Sequence, residues 1–124
     1  MTRGIIGCLI LILLLAAGLG VQWAMASLQA PITGELTQAA QAAERGDWDT
    51  ALLHQQTAQR GWRRAWCLTA AFADHQPMED VDSLFARLPA YDDDGGEFSA
   101  CCRELARRIR AVYEAHSLTW WNLL

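Results

Sequence analysis

The sequence contains no lysine, and no charged residue stands between Gly4 and Gly34. A helix of about 20 apolar residues is long enough to cross the roughly 30 Å hydrocarbon core of a membrane. Residues 4–23 fit that length, with Arg3 before them and no cation after them until Arg45. Because cationic flanks remain in the cytoplasm, we expect a single-pass protein of the cell membrane with a cytoplasmic N-terminus and an extracytoplasmic domain.

The same segment has features of a secretory signal peptide. Its apolar core is short enough, and Ala24-Met25-Ala26 has the small-residue pattern of a cleavage site. We favour an uncleaved anchor, although the sequence leaves cleavage open. With 124 residues in the chain, either alternative predicts a membrane anchor or signal segment over residues 1–30 and one domain over residues 31–124.

The sequence also has few of the features of nucleic-acid-binding or zinc-binding proteins. Residues 28–124 carry nine arginines against fourteen acidic residues, a net charge of −5, which argues against nucleic acid as a partner. The four cysteines lack the spacing of a zinc site. In an exported domain Cys67 could form a disulfide with Cys101 or Cys102, or all three could remain reduced and pack as small apolar side chains.

Apolar residues recur at helical spacing after the anchor, and no useful stretch alternates with the period of a strand. Gly46 is placed to end one helix and Asp47 to cap the next. Together with a possible N-cap at Thr33, these signals predict helices over about residues 33–45, 48–75, 77–89 and 97–116. Since their connections are short, we expect an all-α chain whose N-terminal transmembrane helix precedes a small antiparallel bundle of three or four helices.

Two of these helices have clear apolar stripes, and the tail that follows them is also apolar. The stripe residues are Val81, Leu84, Phe85 and Leu88 in the third helix, and Phe98, Cys102, Leu105, Ile109, Val112 and His116 in the last. Residues 117–124 include the adjacent Trp120 and Trp121. Such a tail should pack on the bundle or on a partner, because it would aggregate if it were free.

An ordered set of features extends over nearly the whole chain. After the charge-poor N-terminal span come Asp47, Trp48, Ala51, Trp62, Trp66, Asp74, His75, Leu84, Leu88, Leu118, Asn122, Leu123 and Leu124. In this order they resemble a membrane-anchored bacterial family catalogued as domain of unknown function 4363. The resemblance implies an all-helical extracytoplasmic module and no assigned activity. The exported cysteines and the paired tryptophans of the tail depart from the family pattern, so any thiol function would be particular to this protein.

Asp74 and His75 form the first candidate for chemistry. A carboxylate beside an imidazole could orient the ring for proton transfer or metal binding. The pair also fits the end of the second predicted helix, where a cationic histidine interacts well with the helix dipole and Asp74 can cap the next turn. We favour this structural role.

Trp62 and Trp66 are candidates for an interaction surface. Tryptophan and arginine dominate the energetics of many protein interfaces, and Arg60, Arg63 and Arg64 lie close by in the sequence. Alternatively, the two tryptophans fill the bundle core and the arginines solvate its rim. For both tryptophans we favour the core.

The chain contains no glycine-rich phosphate loop, nucleophile elbow or paired metalloprotease histidines. The acidic run at residues 92–94 lacks the twelve-residue loop of a calcium site. We therefore expect no catalytic, cofactor-binding or metal-binding residues, and a non-enzymatic membrane-anchored envelope protein whose helical domain binds another protein. The alternatives are an extracytoplasmic ligand-binding or thiol-redox module that uses Cys67, Cys101 and Cys102, and an enzyme with an unrecognised site.

Overall fold

The computed structural model describes residues 1–70, 75–91 and 94–122, and their side chains except those of residues 68–69 and 115–122. Its elements are α1 (Thr2–Glu44), α2 (Trp48–Ala70), α3 (His75–Arg87), a short 3-10 helix (Leu88–Tyr91) and α4 (Gly95–Asn122). No strand occurs in the described ranges. The prediction of an all-α chain, with an apolar N-terminal helix followed by a small helical bundle, is confirmed.

Helix α1 is continuous from the apolar segment into the bundle. The prediction of a separate helix capped by Thr33 is wrong, because Thr33 lies inside α1 and its hydroxyl donates to the carbonyl oxygens of Gln29 and Ala30, both at 3.2 Å. At 1.5 Å per residue, the 43 residues of this helix extend about 64 Å. The bundle is thus joined to the apolar segment by helix and not by a linker.

Pro31 interrupts the hydrogen bonding of α1 without ending the helix. Proline removes one N–H donor and crowds the carbonyl four residues earlier, which usually kinks or breaks a helix. Here Ile32 and Leu36, just after Pro31, are buried in the bundle. Packing of this stretch therefore holds the helix together through the proline.

The first half of α1 is exposed, and the second half is buried. The chain has one described helix that is long and apolar enough to cross a membrane, and its most apolar window of 18 residues is 0% buried. All of residues 1–17 are exposed, whereas Met25, Ile32, Leu36 and several alanines up to Ala43 lie in the core. The apolar segment therefore projects from the bundle.

The turn between α1 and α2 follows the prediction. Gly46 has a positive φ of 77°, and the backbone N–H groups of Gly46 and Asp47 donate to the carbonyls of Ala43 and Ala42 at 3.1 and 2.9 Å. This pairing is the Schellman arrangement of a helix C-terminus. The Oδ1 atom of Asp47 then accepts from the N–H of Thr50 at 3.3 Å and caps α2.

Three other predicted boundaries need correction. His75, predicted as the end of the second helix, begins α3, and α2 is described as far as Ala70. α4 begins at Gly95, two residues before its predicted start, because Asp94 caps it by accepting from the N–H groups of Gly96 and Glu97 at 3.0 and 3.2 Å. The same helix continues to Asn122, so the backbone of the tail is helical over residues 117–122.

The core lies where α2 and α4 pack along the second half of α1, with α3 packed mainly against α4. Alanines are prominent among the buried residues of α1 and α2, among them Ala39, Ala43, Ala51 and Ala58. A Cβ atom added at Gly61 would lie 3.1 Å from Cγ1 of Ile32, so this glycine also permits the close approach of the two helices. The predicted stripe residues are buried or, for Leu84, half-buried, apart from His116, whose side chain lies outside the described residues.

A candidate interaction cleft between α2 and α3

A surface cleft of about 400 Å³ opens between α2 and α3. These two helices touch each other much less than either touches the rest of the bundle. The residues that line the cleft are Gln59, Trp62, Arg63 and Trp66 from α2 and Asp82 and Ala86 from α3. The lining combines two indole rings with one cation and one anion.

Trp62 forms the inner wall of the cleft. It is 1% exposed, and its Nε1–H donates to Oδ1 of Asp82 at 2.8 Å. The ring of Trp66 stands against it edge to face, with 6.1 Å between centroids and 72° between planes. A buried tryptophan needs a partner for its N–H, and Asp82 supplies that partner while linking α2 to α3.

The outer parts of the cleft reach solvent. Trp66 is only half-buried, and Arg63 and Asp82 are exposed. The cleft can therefore accept an apolar group against the indole of Trp66 and hydrogen bonds or ion pairs at its rim. The sequence favoured a core position for both tryptophans. Trp62 is buried as expected, whereas Trp66 is only partly buried.

Asp47 and Trp48 lie at the opposite end of α2 from the cleft. The Trp48 ring packs edge to face on Phe98, with centroids 5.4 Å apart, which ties the start of α2 to the start of α4. Hydrogen bonds from the side chain and backbone of Thr50 lower the pKa of the Asp47 carboxyl. Both residues thus have a structural role in joining helix ends.

The structure does not place His75 at the end of the long helix, so its predicted interaction with that helix terminus is wrong. His75 is the first residue of α3 and is exposed, at a helix end that disfavours a cation. Asp74, with its predicted cap, lies outside the described residues. Asn122 is the last residue of α4, and its side chain also lies outside the described residues.

The cysteines are free thiols in different environments. Cys67 is exposed in the last turn of α2, whereas Cys101 and Cys102 lie near the start of α4, at the other end of the bundle. Burial raises the pKa of Cys101, and burial raises that of Cys102 to about 12. A disulfide needs Cα atoms within about 7 Å, so this arrangement does not bring Cys67 to either candidate partner.

A polar network closes the end of the bundle that is far from the apolar segment. Ser99, which is buried, donates its hydroxyl to Oε1 of Glu44 at 2.6 Å, and an Arg103 guanidinium nitrogen lies 2.6 Å from the same oxygen. The hydrogen bond from Ser99, followed by that from Arg103, lowers the pKa of Glu44. This network joins α1 to α4. Among the described residues, no group of three or more histidine, cysteine or acidic side chains is arranged to hold a metal ion.

Sequence reasoning identified the tryptophans of the cleft but missed the role of Asp82 and the whole contribution of α3. Asp82 lies within the third predicted helix but outside its apolar stripe. No local pattern connects it with Trp62, which is twenty residues away in the sequence. The only available signal was that a buried indole requires an acceptor.

Comparison with known proteins adds one finding. A family model described as Domain of unknown function (DUF4363) matches residues 21–123, so the resemblance inferred from the ordered residues is confirmed. No curated protein and no solved structure matches the chain.

Proposed function

Because the chain belongs to the family described as Domain of unknown function (DUF4363), a description without an activity, we propose a function from the geometry alone. The protein is a non-enzymatic, membrane-anchored envelope protein whose helical domain binds another protein. The apolar half of α1 crosses the cell membrane with its N-terminus in the cytoplasm, and the bundle lies outside the cytoplasm. The cleft between α2 and α3 receives the partner.

The single observation that carries the proposal is the lining of the cleft. Tryptophan and arginine are the residues most enriched at the energetic centres of protein interfaces. Trp66 presents a partly exposed ring beside Trp62, and Arg63 adds an exposed cation. The remaining lining residues contribute an amide, a carboxylate and a methyl group, a set that suits a peptide segment better than covalent chemistry.

The position of the cleft supports a partner in the same membrane. Gly61 lies against Ile32, and α2 runs from there back toward the apolar segment. Ile32 is nine residues beyond Trp23, whose exposed ring suits the outer membrane interface. These nine residues rise about 14 Å, so the cleft opens close to the membrane surface, where the extracytoplasmic part of a neighbouring membrane protein would reach it.

Site-specific photo-cross-linking in intact membranes tests the proposal. A photoreactive residue replaces Arg63 in the cleft, and the matched control replaces Arg110, another exposed arginine, which lies on α4. We expect one recurrent protein neighbour from position 63, none from position 110, and loss of the product when Trp66→Ala is added. The same product from both positions, or none from position 63, would contradict the proposal.

The proposed topology is tested separately with Cys67, which is exposed on the bundle. A membrane-impermeant maleimide should label this thiol in intact cells, and Cys67→Ser should abolish the label on the domain. Labelling only after cell lysis would place the domain in the cytoplasm. The mass of the labelled chain also shows whether the apolar segment remains attached.

A small ligand is the second candidate occupant of the cleft. Its volume of about 400 Å³ falls at the lower end of the range for small-molecule sites, about 300–1,000 Å³. Thermal unfolding of the purified protein against a library of envelope metabolites tests this candidate. A compound that raises the melting temperature of the wild-type protein but not of Trp66→Ala would favour it.

A further inference from the structure

The helices of the bundle do not end at the same height along α1. A Cβ atom at Gly95 would lie 2.7 Å from the carbonyl oxygen of Ala43, so α4 begins opposite Ala43 and runs antiparallel to α1. The 28 residues of α4 rise about 40 Å, whereas α1 rises only about 27 Å between Ala43 and Met25, its first buried residue. The last turns of α4 therefore extend beyond the buried part of α1, alongside about residues 16–21.

Burial on α1 supports this register independently. Gly18, Val21 and Gln22 are half-buried, while the residues between and around them are exposed. Together with Met25 they follow the three-and-four spacing of one helix face, and Val21 packs against the core. The contact between the bundle and α1 thus continues into the apolar segment.

The composition of the end of α4 fits this location. No charged residue follows Glu114, and residues 118–122 include Leu118 and the adjacent Trp120 and Trp121. Tryptophan is favoured at the boundary between the hydrocarbon core and the lipid headgroups. By the same count of residues, Trp23 on α1, with 76% of its surface exposed, lies opposite about residue 115, about 8–9 Å along the helix axis from Trp120 and Trp121 and on the side of the bundle.

We propose that residues 118–122 at the C-terminal end of α4 lie in the interfacial layer of the membrane that α1 crosses, so that the domain contacts the lipid bilayer through two helices. This inference rests on the proposed insertion of α1. The second contact fixes the orientation of the bundle as well as its distance from the membrane. It also sets the height at which the cleft between α2 and α3 meets a neighbouring protein.

Fluorescence quenching by brominated lipid tests the proposal on the full-length protein. The protein is reconstituted into phosphatidylcholine vesicles with bromine on the acyl chains, which quench nearby tryptophans. If the six tryptophans emit equally, and Trp23, Trp120 and Trp121 are interfacial, about half of the emission is quenched. We expect the double variant W120F/W121F to lower the quenched share to about one quarter.

Two controls separate this inference from the insertion of α1. W48F removes a tryptophan that packs on Phe98 at the far end of the bundle, so the quenched share should rise to about three fifths. W23F should lower it to about two fifths if α1 inserts. If W23F lowers the quenched share and W120F/W121F does not, the second contact is refuted while the insertion of α1 stands.

If neither change lowers the quenched share, both the insertion and the second contact are refuted. Circular dichroism of each variant checks that the helices are retained. Should the double phenylalanine variant lose helix, W120Y/W121Y provides the same removal of emission with a ring that also favours the membrane interface.

Discussion

Replacement of Gly95 by alanine tests the register of α4 against α1, on which the height of the C-terminal tail depends. The added Cβ would lie 2.7 Å from the carbonyl oxygen of Ala43 and 3.5 Å from its carbonyl carbon. Real Cβ atoms essentially never approach another atom within 3.0 Å. Because the obstacle is backbone of a buried helix, it cannot rotate away, and α4 must shift relative to α1.

The size of the effect follows from two opposing contributions. Overpacking of a well-packed contact typically costs about 1–3 kcal/mol. Replacing glycine by alanine in a helix recovers about 0.4–1 kcal/mol, because the unfolded chain loses conformational freedom. We therefore expect G95A to lower the free energy of unfolding by about 1–2 kcal/mol. For a domain of this size the melting temperature falls by about 4–8 °C for each kcal/mol.

Thermal unfolding of the full-length protein in detergent, followed by tryptophan fluorescence, measures this change. The matched control is G34A, since Gly34 lies on α1 and a Cβ there meets nothing within 4 Å. G34A should unfold at the same temperature or a higher one. A G95A variant that is as stable as wild type, with G34A also unchanged or stabilised, would refute the close approach of α4 to Ala43 and the register drawn from it.

The remaining predictions concern the helix ends and the thiols. Gly46→Ala should cost about 1 kcal/mol, measured by urea unfolding, because its φ of 77° suits glycine, and Gly46→Asn should cost less. Pro31→Ala should raise the melting temperature, with a stabilisation of up to about 3 kcal/mol, because it restores a donor inside α1. Glu44 has a lowered pKa in the folded protein, so its contribution to stability is present above its unfolded pKa and is lost as the pH falls through the folded pKa. Glu44→Gln should therefore make the free energy of unfolding, measured as a function of pH, fall less steeply in the acidic range. Finally, Cys67 should react quickly with a soluble disulfide reagent, whereas Cys102, buried and with a pKa raised to about 12, should react only as the protein unfolds.

Helix ends marked by local chemistry could be predicted from the sequence. Gly46 and Asp47 lie where expected, because a left-handed backbone and a side-chain cap depend only on neighbouring residues. The apolar stripes could also be predicted, because the spacing of Val81 and Phe85, or of Phe98 and Ile109, identifies the buried face of a helix without reference to the helix that packs on it. The apolar segment was visible for the same reason.

Predictions failed where a local signal competes with packing. A separate helix was predicted to begin at Thr33, yet the buried residues after Pro31 hold α1 together as one helix. The second helix was predicted to reach His75, although that residue begins α3. The three cysteines of the domain were equivalent in the sequence, and only the fold placed Cys67 in solvent and Cys102 in the core.

The sequence by itself therefore determined the helical class, the apolar segment and the turn at Gly46 and Asp47, because each follows from backbone preferences and from the period of apolar residues along one helix. Only the tertiary structure decided that Trp62 meets Asp82, that α2 and α3 leave a cleft between them, and that α4 extends alongside the apolar segment. These features depend on which helix faces which and at what height. That choice results from packing between distant residues, which no local pattern encodes.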